Sequence, residues 1–103
     1  MGLFSNLFGG GTTANLQNII DDGAFLVDVR TPGEFAEGHV IGSVNIPLDT
    51  VPNEVEKFKN KKNIIVFCRS GNRSGQAKTI LEANGISNVT NGGSWEEVNQ
   101  FVK

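Results

Sequence analysis

Nine basic and eleven acidic side chains give this chain of 103 residues a net charge of −2, and 38% of its residues are hydrophobic. The length suits one domain with a hydrophobic core, and the balanced charge argues against a general nucleic-acid-binding protein. The single cysteine excludes an internal disulfide, and one cysteine with one histidine cannot build a metal site, so neither a metal nor a cofactor is expected.

The first eleven residues, MGLFSNLFGGG, are predicted to form an apolar and glycine-rich tail (residues 1–11) ahead of a domain over residues 12–103. The leucine and phenylalanine side chains of this tail would share one face of a short helix. The stretch is a poor secretory signal, and no apolar run in the chain approaches the roughly 20 residues of a membrane span. We interpret it as a loosely ordered tail or a flap on the domain, with a partner-docking helix as the alternative.

Helix and strand patterns alternate along the first half of the domain. Apolar spacing, turn residues and a capping box predict the following elements. They are a helix over residues 13–21 that begins near Thr12 or Thr13, a buried strand over 25–29, a helix from the cap Thr31 to about Glu37, a strand over 44–46, and a helix with Val51, Val55 and Phe58 on one face.

The second half begins with a continuous apolar run over residues 64–67, which is typical of a strand covered on both faces. The predicted elements that follow are a polar loop, a helix from about Ser74 to Asn84, a strand over 88–90, a turn over 91–93 and a last helix capped by Ser94. This alternation predicts an α/β fold with a mostly parallel sheet of about five short strands and helices on both faces. Ligands bind such sheets beyond the carboxyl ends of the strands.

Charge is distributed unevenly along the chain. Residues 1–56 carry a net −7, residues 57–78 a net +7 and residues 79–103 a net −2. The basic segment contains Cys68, and four of its lysines stand close together at its start: Lys57, Lys59, Lys61 and Lys62. We favour a solvated turn as the explanation of these lysines, and the alternative is a positive field that attracts an anionic substrate.

The loop after the apolar run combines three features that favour an anion. Successive backbone N–H groups in a turn form an anion-binding nest, and a helix N-terminus adds further donors with a partial positive charge. Arg69 and Arg73 supply full positive charges, and Gly71 permits the backbone angles that turn N–H groups inward. A thiol at this position, Cys68, should ionise more easily than a free cysteine, and the thiolate is the nucleophilic form.

The heptapeptide Cys68-Arg69-Ser70-Gly71-Asn72-Arg73-Ser74 resembles the active-site loop of the single-domain rhodaneses. Residues 26–30, 34–35 and 38–47 are similar to the Asp-Val-Arg and Gly-His-Ile…Asn-Ile-Pro signatures of that family. Residues 85–89 and 91–93 resemble its closing strand and Gly-Gly turn. Because all of these strings occur in order over residues 14–103, the chain is identified as rhodanese-like, which implies the α/β fold of that family.

The resemblance implies a thiosulfate sulfurtransferase. In this family the loop cysteine attacks the outer sulfur of a small anionic donor such as thiosulfate, and sulfite leaves. The resulting persulfide passes its sulfur to cyanide in vitro or to a thiol in the cell, including a protein acceptor. By this resemblance Cys68 is the nucleophile and Ser74 is the last substrate-binding residue. The Arg73 side chain would brace the loop or bind the donor, and Arg69 would contact donor or acceptor at the mouth of the site. The persulfide cradle would consist of the backbone N–H groups of Arg69, Ser70, Gly71, Asn72 and Arg73.

Two alternatives remain open at this point. The phosphatase loop has the spacing Cys-x5-Arg, whereas the count from Cys68 to Arg73 is Cys-x4-Arg. A smaller ring of N–H groups suits a terminal sulfur better than a tetrahedral phosphate, so phosphatase or arsenate reductase activity is less favoured. The second alternative is a rhodanese-like binding module or a persulfide relay with little thiosulfate turnover.

Three residues outside the loop are assigned supporting roles. Asp28, at a strand end, is expected to accept hydrogen bonds from neighbouring loops, and Arg30 is expected to pair with Glu34 or Glu37. His39 receives a structural role, because a thiolate activated by a nest needs no imidazole base. The lone thiol and the poor secretory signal predict a cytoplasmic protein.

Overall fold

Helices and strands alternate over residues 10–102, the part of the chain that the computed structural model describes. The predicted tail lies outside this part except for Gly10 and Gly11, where the first helix begins. The helices are α1 (Gly10–Asp21), α2 (Pro32–Glu37), α3 (Asn72–Ala83) and α4 (Trp95–Asn99). The strands are β1 (Phe25–Asp28), β2 (Val44–Asn45), β3 (Ile64–Cys68) and β4 (Val89–Ser94). Two 3-10 helices, Leu48–Asn53 and Val55–Phe58, connect β2 to β3.

The four strands form one sheet in the order β2-β1-β3-β4, and every pair of neighbours is parallel. This confirms the predicted α/β architecture. The expected number of about five strands is wrong by one over residues 10–102, where the sheet has four.

Strand β3 lies at the centre of the sheet and is buried along its whole length. Because successive side chains of a strand point to opposite faces, β3 contributes to two separate cores. Ile64, Val66 and Cys68 belong to the core that includes side chains of α3, whereas Ile65 and Phe67 belong to the core that includes side chains of α1 and α4. The predicted covering of both faces is confirmed.

Both predicted capping boxes are present. The hydroxyl of Thr31 accepts the N–H of Glu34, whose carboxylate accepts the N–H of Thr31 in return. The same reciprocal pair joins Ser94 and Glu97 at the start of α4. These boxes satisfy backbone donors that the first turn of a helix leaves unpaired.

Two helices begin earlier in the chain than predicted. The first helix begins at Gly10, so Thr12 and Thr13 lie inside α1 rather than at its cap. Helix α3 begins at Asn72, two residues before the predicted start at Ser74. The region from Leu48 to Phe58 forms two 3-10 helices instead of one α-helix, because Pro52 lacks an N–H and clashes with the preceding turn of an α-helix.

The expected turn over residues 91–93 is wrong, because β4 continues through Asn91 to Ser94. Asn91 pairs with Val66 and Gly93 pairs with Phe67, so Gly92 is one extra residue between them. A β-bulge of this kind bends a strand and redirects its side chains. Here it lies beside the carboxyl end of β3, where Cys68 is found.

Candidate active site

Cys68 is the last residue of β3 and lies at the carboxyl edge of the parallel sheet. The chain then turns sharply into α3, and Gly71 caps that helix with a φ of 98°. This left-handed conformation favours glycine, and a Cβ there would also stand 3.4 Å from the Cα of Gly93. The turn brings the first donors of α3 back toward the cysteine.

The sulfur of Cys68 is buried among hydrogen-bond donors. The N–H of Gly71 donates to Sγ at 3.0 Å and the N–H of Ser74 at 3.4 Å, while the hydroxyl oxygen of Ser74 lies 3.4 Å from Sγ. Burial raises the pKa of the Cys68 thiol, but hydrogen bonds from the Ser74 hydroxyl and from N–H groups of Ser74, Ser70 and Gly71 outweigh burial and hold the pKa below its ordinary value. The thiolate, the nucleophilic form of cysteine, is therefore easier to form here than in a free cysteine.

Asn91 connects this loop to β4 and is a site residue that the sequence analysis missed. Its Oδ1 accepts the Ser74 hydroxyl at 2.7 Å and the Gly93 N–H at 3.0 Å, and its Nδ2 donates to the Gly71 carbonyl at 3.0 Å. In the sequence this residue stands before a Gly-Gly pair, and because that pattern is typical of a turn, it gave no separate reason to assign Asn91 to the site. Only its place in β4, beside the loop, shows the connection.

Arg73 forms a bidentate ion pair with Glu34 of α2. Its two terminal nitrogens lie 2.8 and 3.1 Å from the two carboxylate oxygens. Hydrogen bonds from Arg73 and from the Thr31 backbone lower the pKa of Glu34 to about 2, and the Glu34 carboxylate raises the pKa of Arg73. This geometry braces the loop against α2, while direct contact between Arg73 and a donor stays a prediction.

The remaining loop residues are at or near the surface. Arg69 has 72% of its side chain exposed, with Nη1 4.0 Å from Glu34. Ser70 and Asn72 are exposed, and the side chain of Asn72 accepts a hydrogen bond from Gln76 rather than facing Cys68. A recess of about 500 Å³ opens beside the loop, and its lining residues include Arg69, Ser70, Glu34 and Trp95.

Arg30 pairs with Asp28 rather than with the predicted Glu34 or Glu37. The carboxylate of Asp28 accepts the backbone N–H, Nε and Nη2 of Arg30 at 2.7–3.0 Å, and both residues are buried. Arg30 also donates to the Gly38 carbonyl and stacks on Trp95, with 4.7 Å between the guanidinium carbon and the ring centroid. Because Arg30 is buried, its charge needs a partner that is buried with it, and that partner is Asp28.

Asp28 lies at the carboxyl end of β1 and accepts hydrogen bonds from the loop that follows, as expected. The ring of His39 stacks on Phe35 with centroids 3.8 Å apart, and its Nδ1 lies 2.8 Å from the Phe35 carbonyl oxygen. The structural role of His39 stays a prediction.

Two lysines near the start of the basic segment lie at the opposite edge of the sheet from Cys68. Lys61 and Lys62 precede the first residue of β3, and Lys62 pairs with Asp22, which precedes β1. The other pairs are Lys57 with Glu54 and Lys59 with Glu56. These exposed ion pairs favour the solvated-turn explanation over a field directed at the thiol.

None of the helices within residues 10–102 is long and apolar enough to cross a membrane. Within the same range, no group of three or more histidine, cysteine, aspartate or glutamate side chains is arranged to hold a metal ion.

Comparisons with known proteins agree with this architecture. The chain is 38% identical over 74 residues to thiosulfate sulfurtransferase PspE of Escherichia coli, which covers 70% of this chain and 71% of the relative. It is 30% identical over 83 residues to thiosulfate:glutathione sulfurtransferase of Saccharomyces cerevisiae, covering 68% of this chain and only 60% of that protein. A crystal structure of a rhodanese-like domain protein from Staphylococcus aureus superposes with a TM-score of 0.71 at 33% identity, covering 84% of this chain and 86% of that one. A profile of the rhodanese-like domain matches residues 12–100, and the chain therefore belongs to the rhodanese-like domain family.

Proposed function

We propose that this protein is a sulfurtransferase that carries a sulfane sulfur as a persulfide on Cys68, with thiosulfate or a related anion as donor. The observation that carries the proposal is the position of Sγ, which receives N–H groups of Gly71 and Ser74 at the start of α3. Relatives named as thiosulfate sulfurtransferases support the assignment. Since the protein has one cysteine, one thiol carries the sulfur through the whole cycle.

In the first step the Cys68 thiolate attacks the outer sulfur of thiosulfate. The new bond joins Sγ to that sulfur, the sulfur–sulfur bond of thiosulfate breaks, and sulfite leaves with the electron pair. The terminal sulfur of the persulfide is anionic, so it needs the same kind of stabilisation as the thiolate. We expect other backbone N–H groups of the loop at the N-terminus of α3 to receive this sulfur, as those of Gly71 and Ser74 receive Sγ.

In the second step a nucleophilic acceptor attacks the terminal sulfur of the persulfide. The bond between the two sulfurs breaks, and the electron pair returns to Cys68 as a thiolate. Cyanide would leave as thiocyanate in an assay, and a thiol, on a small molecule or a protein, would leave as a persulfide in the cell. The recess beside Arg69 and Ser70 gives such acceptors a route to the loop. No cofactor is needed for either step.

Intact-mass measurement after treatment with thiosulfate tests the first step directly. The parent protein should gain the mass of one sulfur, and Cys68→Ser should gain none while retaining the circular dichroism spectrum of the parent. Turnover of thiosulfate and cyanide should be abolished in the same variant. Substantial turnover by Cys68→Ser would show that the sulfur is carried elsewhere.

A persulfide relay is the second candidate, and the pairing of Arg73 with Glu34 favours it because that guanidinium is already engaged. A relay would accept sulfur from a persulfide donor but turn over thiosulfate poorly. Loading rates with thiosulfate and with glutathione persulfide, measured side by side, separate the two. The expectation of a cytoplasmic location rests on the reduced thiol that either cycle requires.

Phosphatase activity is the third candidate, and loop length argues against it. The protein should hydrolyse an aryl phosphate far more slowly than it transfers sulfur. Inserting one glycine between Gly71 and Asn72 lengthens the loop to the phosphatase spacing and should impair sulfur transfer. If the parent protein is the better phosphatase, the argument from ring size is wrong.

A further inference from the structure

The hydroxyl of Ser74 lies between two acceptors for its single proton. Its oxygen is 2.7 Å from Oδ1 of Asn91 and 3.4 Å from Sγ of Cys68, and Ser74 is fully buried. A serine hydroxyl has one O–H donor and two acceptor lone pairs. It therefore donates either to the amide oxygen or to the sulfur, and burial leaves water no part in the choice.

The protonation state of Cys68 decides which acceptor receives the hydrogen bond from the Ser74 hydroxyl. A Cys68 thiol can donate its own proton to the Ser74 oxygen while the hydroxyl donates to Asn91. A thiolate has no proton to give, and charge-assisted hydrogen bonds to it are roughly twice as strong as neutral ones. We propose that Asn91 competes with the Cys68 thiolate for the Ser74 hydroxyl, so that Asn91 is a positioning residue that sets how readily the thiol ionises.

The orientation of the Asn91 amide makes it a fixed competitor. Its Oδ1 also accepts the backbone N–H of Gly93, and its Nδ2 donates to the Gly71 carbonyl, each at 3.0 Å. A flipped amide would set its NH2 group against the Gly93 N–H and its oxygen against the Gly71 carbonyl. The neighbours on both sides therefore keep the acceptor directed at Ser74.

Several charged groups lie on the elements around Cys68, whereas β4 has none, and the changes used below alter none of them. They are Arg73 of α3 with Glu34 of α2, Asp28 of β1 with Arg30, Arg69 of the loop, and Glu97 of α4, which lies against Gly93. Carboxylates and guanidinium groups keep their charge over the range in which thiols titrate. The variants replace only uncharged residues, so a shift in their Cys68 titration reports the hydrogen bond from the Ser74 hydroxyl.

The thiolate of Cys68 can be titrated by its ultraviolet absorbance in the full chain, because the sequence has one cysteine and no tyrosine. Asn91→Leu frees the hydroxyl for the thiolate and should increase the acid dissociation constant of Cys68 by about two- to tenfold, the net value of one neutral hydrogen bond. Ser74→Ala removes the donor and should decrease that constant. In the Ser74→Ala background, Asn91→Leu should have no further effect.

Asn88→Leu is the matched control, since Asn88 directly precedes β4 and its side chain also holds backbone carbonyls, those of Lys61 and Lys62, away from the thiol. It should leave the titration unchanged. If Asn91→Leu does not fold, Asn91→Ala removes the same amide oxygen and makes the same test. An unchanged or decreased dissociation constant in the Asn91 variant overturns the proposal.

A shift that persists without the Ser74 hydroxyl also overturns it, because Asn91 would then act through Gly71. The importance of this competition for sulfur transfer rests on the proposed function, whereas the expected shift in the titration of Cys68 does not. Sulfur loading of the parent protein from thiosulfate separates the two. A parent that titrates as expected but accepts no sulfur contradicts the proposed function alone.

Discussion

The two edges of the parallel sheet both carry many charged and polar side chains, but they differ in how these are placed. At the carboxyl edge, Asp28 and Arg30 are nearly inaccessible, with side-chain exposures of 0% and 3%. At the amino edge, the ion pair between Lys62 and Asp22 has exposures of 69% and 53%. Net charge along the sequence therefore does not locate the candidate site, whereas polar groups withdrawn from water lie beside it.

The reason is the cost of burying a polar group without a partner. Within residues 10–102, every buried side-chain nitrogen or oxygen has a hydrogen-bond partner. At the carboxyl edge this requirement fixes the geometry of Asp28, Ser74 and their neighbours, because each partner must lie at one distance and direction. The amino edge has no such constraint, since water can replace either member of an exposed pair.

Removing one carboxylate from each edge should give the largest difference. Asp28→Ala leaves the buried guanidinium of Arg30 uncompensated and should lower the free energy of unfolding by about 3–5 kcal/mol. Asp22→Ala removes the exposed partner of Lys62 and should cost less than about 1 kcal/mol. Urea unfolding of both variants measures this, and equal losses would contradict the comparison. If Asp28→Ala does not fold, Asp28→Asn should fall between the two.

The bulge of β4 provides a second test at the carboxyl side of the sheet. A Cβ at Gly92 would stand 2.8 Å from Cγ2 of both Ile65 and Val98, so the core that these two side chains share cannot accept it without moving. Gly92→Ala should therefore cost about 1–3 kcal/mol of unfolding free energy. Gly33→Ala is the control, because a Cβ there meets nothing within 4 Å and alanine favours helix α2. Gly33→Ala should be neutral or slightly stabilising in the same thermal or urea unfolding measurement.

The ion pair between Arg73 and Glu34 lies between the two extremes of exposure. Arg73→Ala should reduce kcat/KM for thiosulfate by about tenfold or more, since a charge-assisted hydrogen bond that braces the loop is lost. The effect should persist at every ionic strength, because the pair is in direct contact. A folded Arg73→Ala variant with nearly unchanged kcat/KM would show that the loop keeps its geometry without this brace.

The same pair predicts a pH dependence of stability. The pKa of Glu34 is lowered from 4.5 to about 2, so its carboxylate stabilises the folded protein fully above pH 4.5 and loses that contribution as the pH falls toward 2. Glu34→Gln should therefore be less stable than the parent at neutral pH, and the difference should shrink between pH 4.5 and 2. A constant difference across that range would mean that the carboxylate charge contributes nothing.

Local sequence patterns were sufficient to predict much of this fold. The capping boxes at Thr31 and Ser94 act within four residues, and the apolar run of β3 reflects burial on both faces. The position of Cys68 at a strand end followed from the same run. Each of these features depends on residues that are close together in the chain, so the local sequence pattern is sufficient to predict it.

Features that depend on distant neighbours were missed or misassigned. Arg73 and Glu34 are 39 residues apart, so their pairing depends on the fold. Arg30 was misassigned although Asp28 is only two residues away, because burial of both side chains selects this partner. Asn91-Gly92 was interpreted as the start of a turn because glycine pairs are typical of turns. The real reason for Gly92 is the close approach of Ile65 and Val98, which no local pattern records.

The smallest effect is expected from the four lysines at the start of the basic segment, two of which, Lys61 and Lys62, lie at the amino edge. Lys62 precedes β3 while Cys68 ends it, and the four residue steps of β3 alone span roughly 13 Å at about 3.3 Å per residue. That exceeds the Debye length of about 8 Å at physiological ionic strength, so the field of these lysines is largely screened at the thiol. Replacing Lys57, Lys59, Lys61 and Lys62 by glutamine should therefore lower kcat/KM for thiosulfate by less than about twofold in 0.15 M salt. A somewhat larger loss should emerge only at low salt, and kcat/KM measured over a salt series would show it. A tenfold loss that salt does not change would mean that these lysines contact the donor, and the contrast between the two edges would fail.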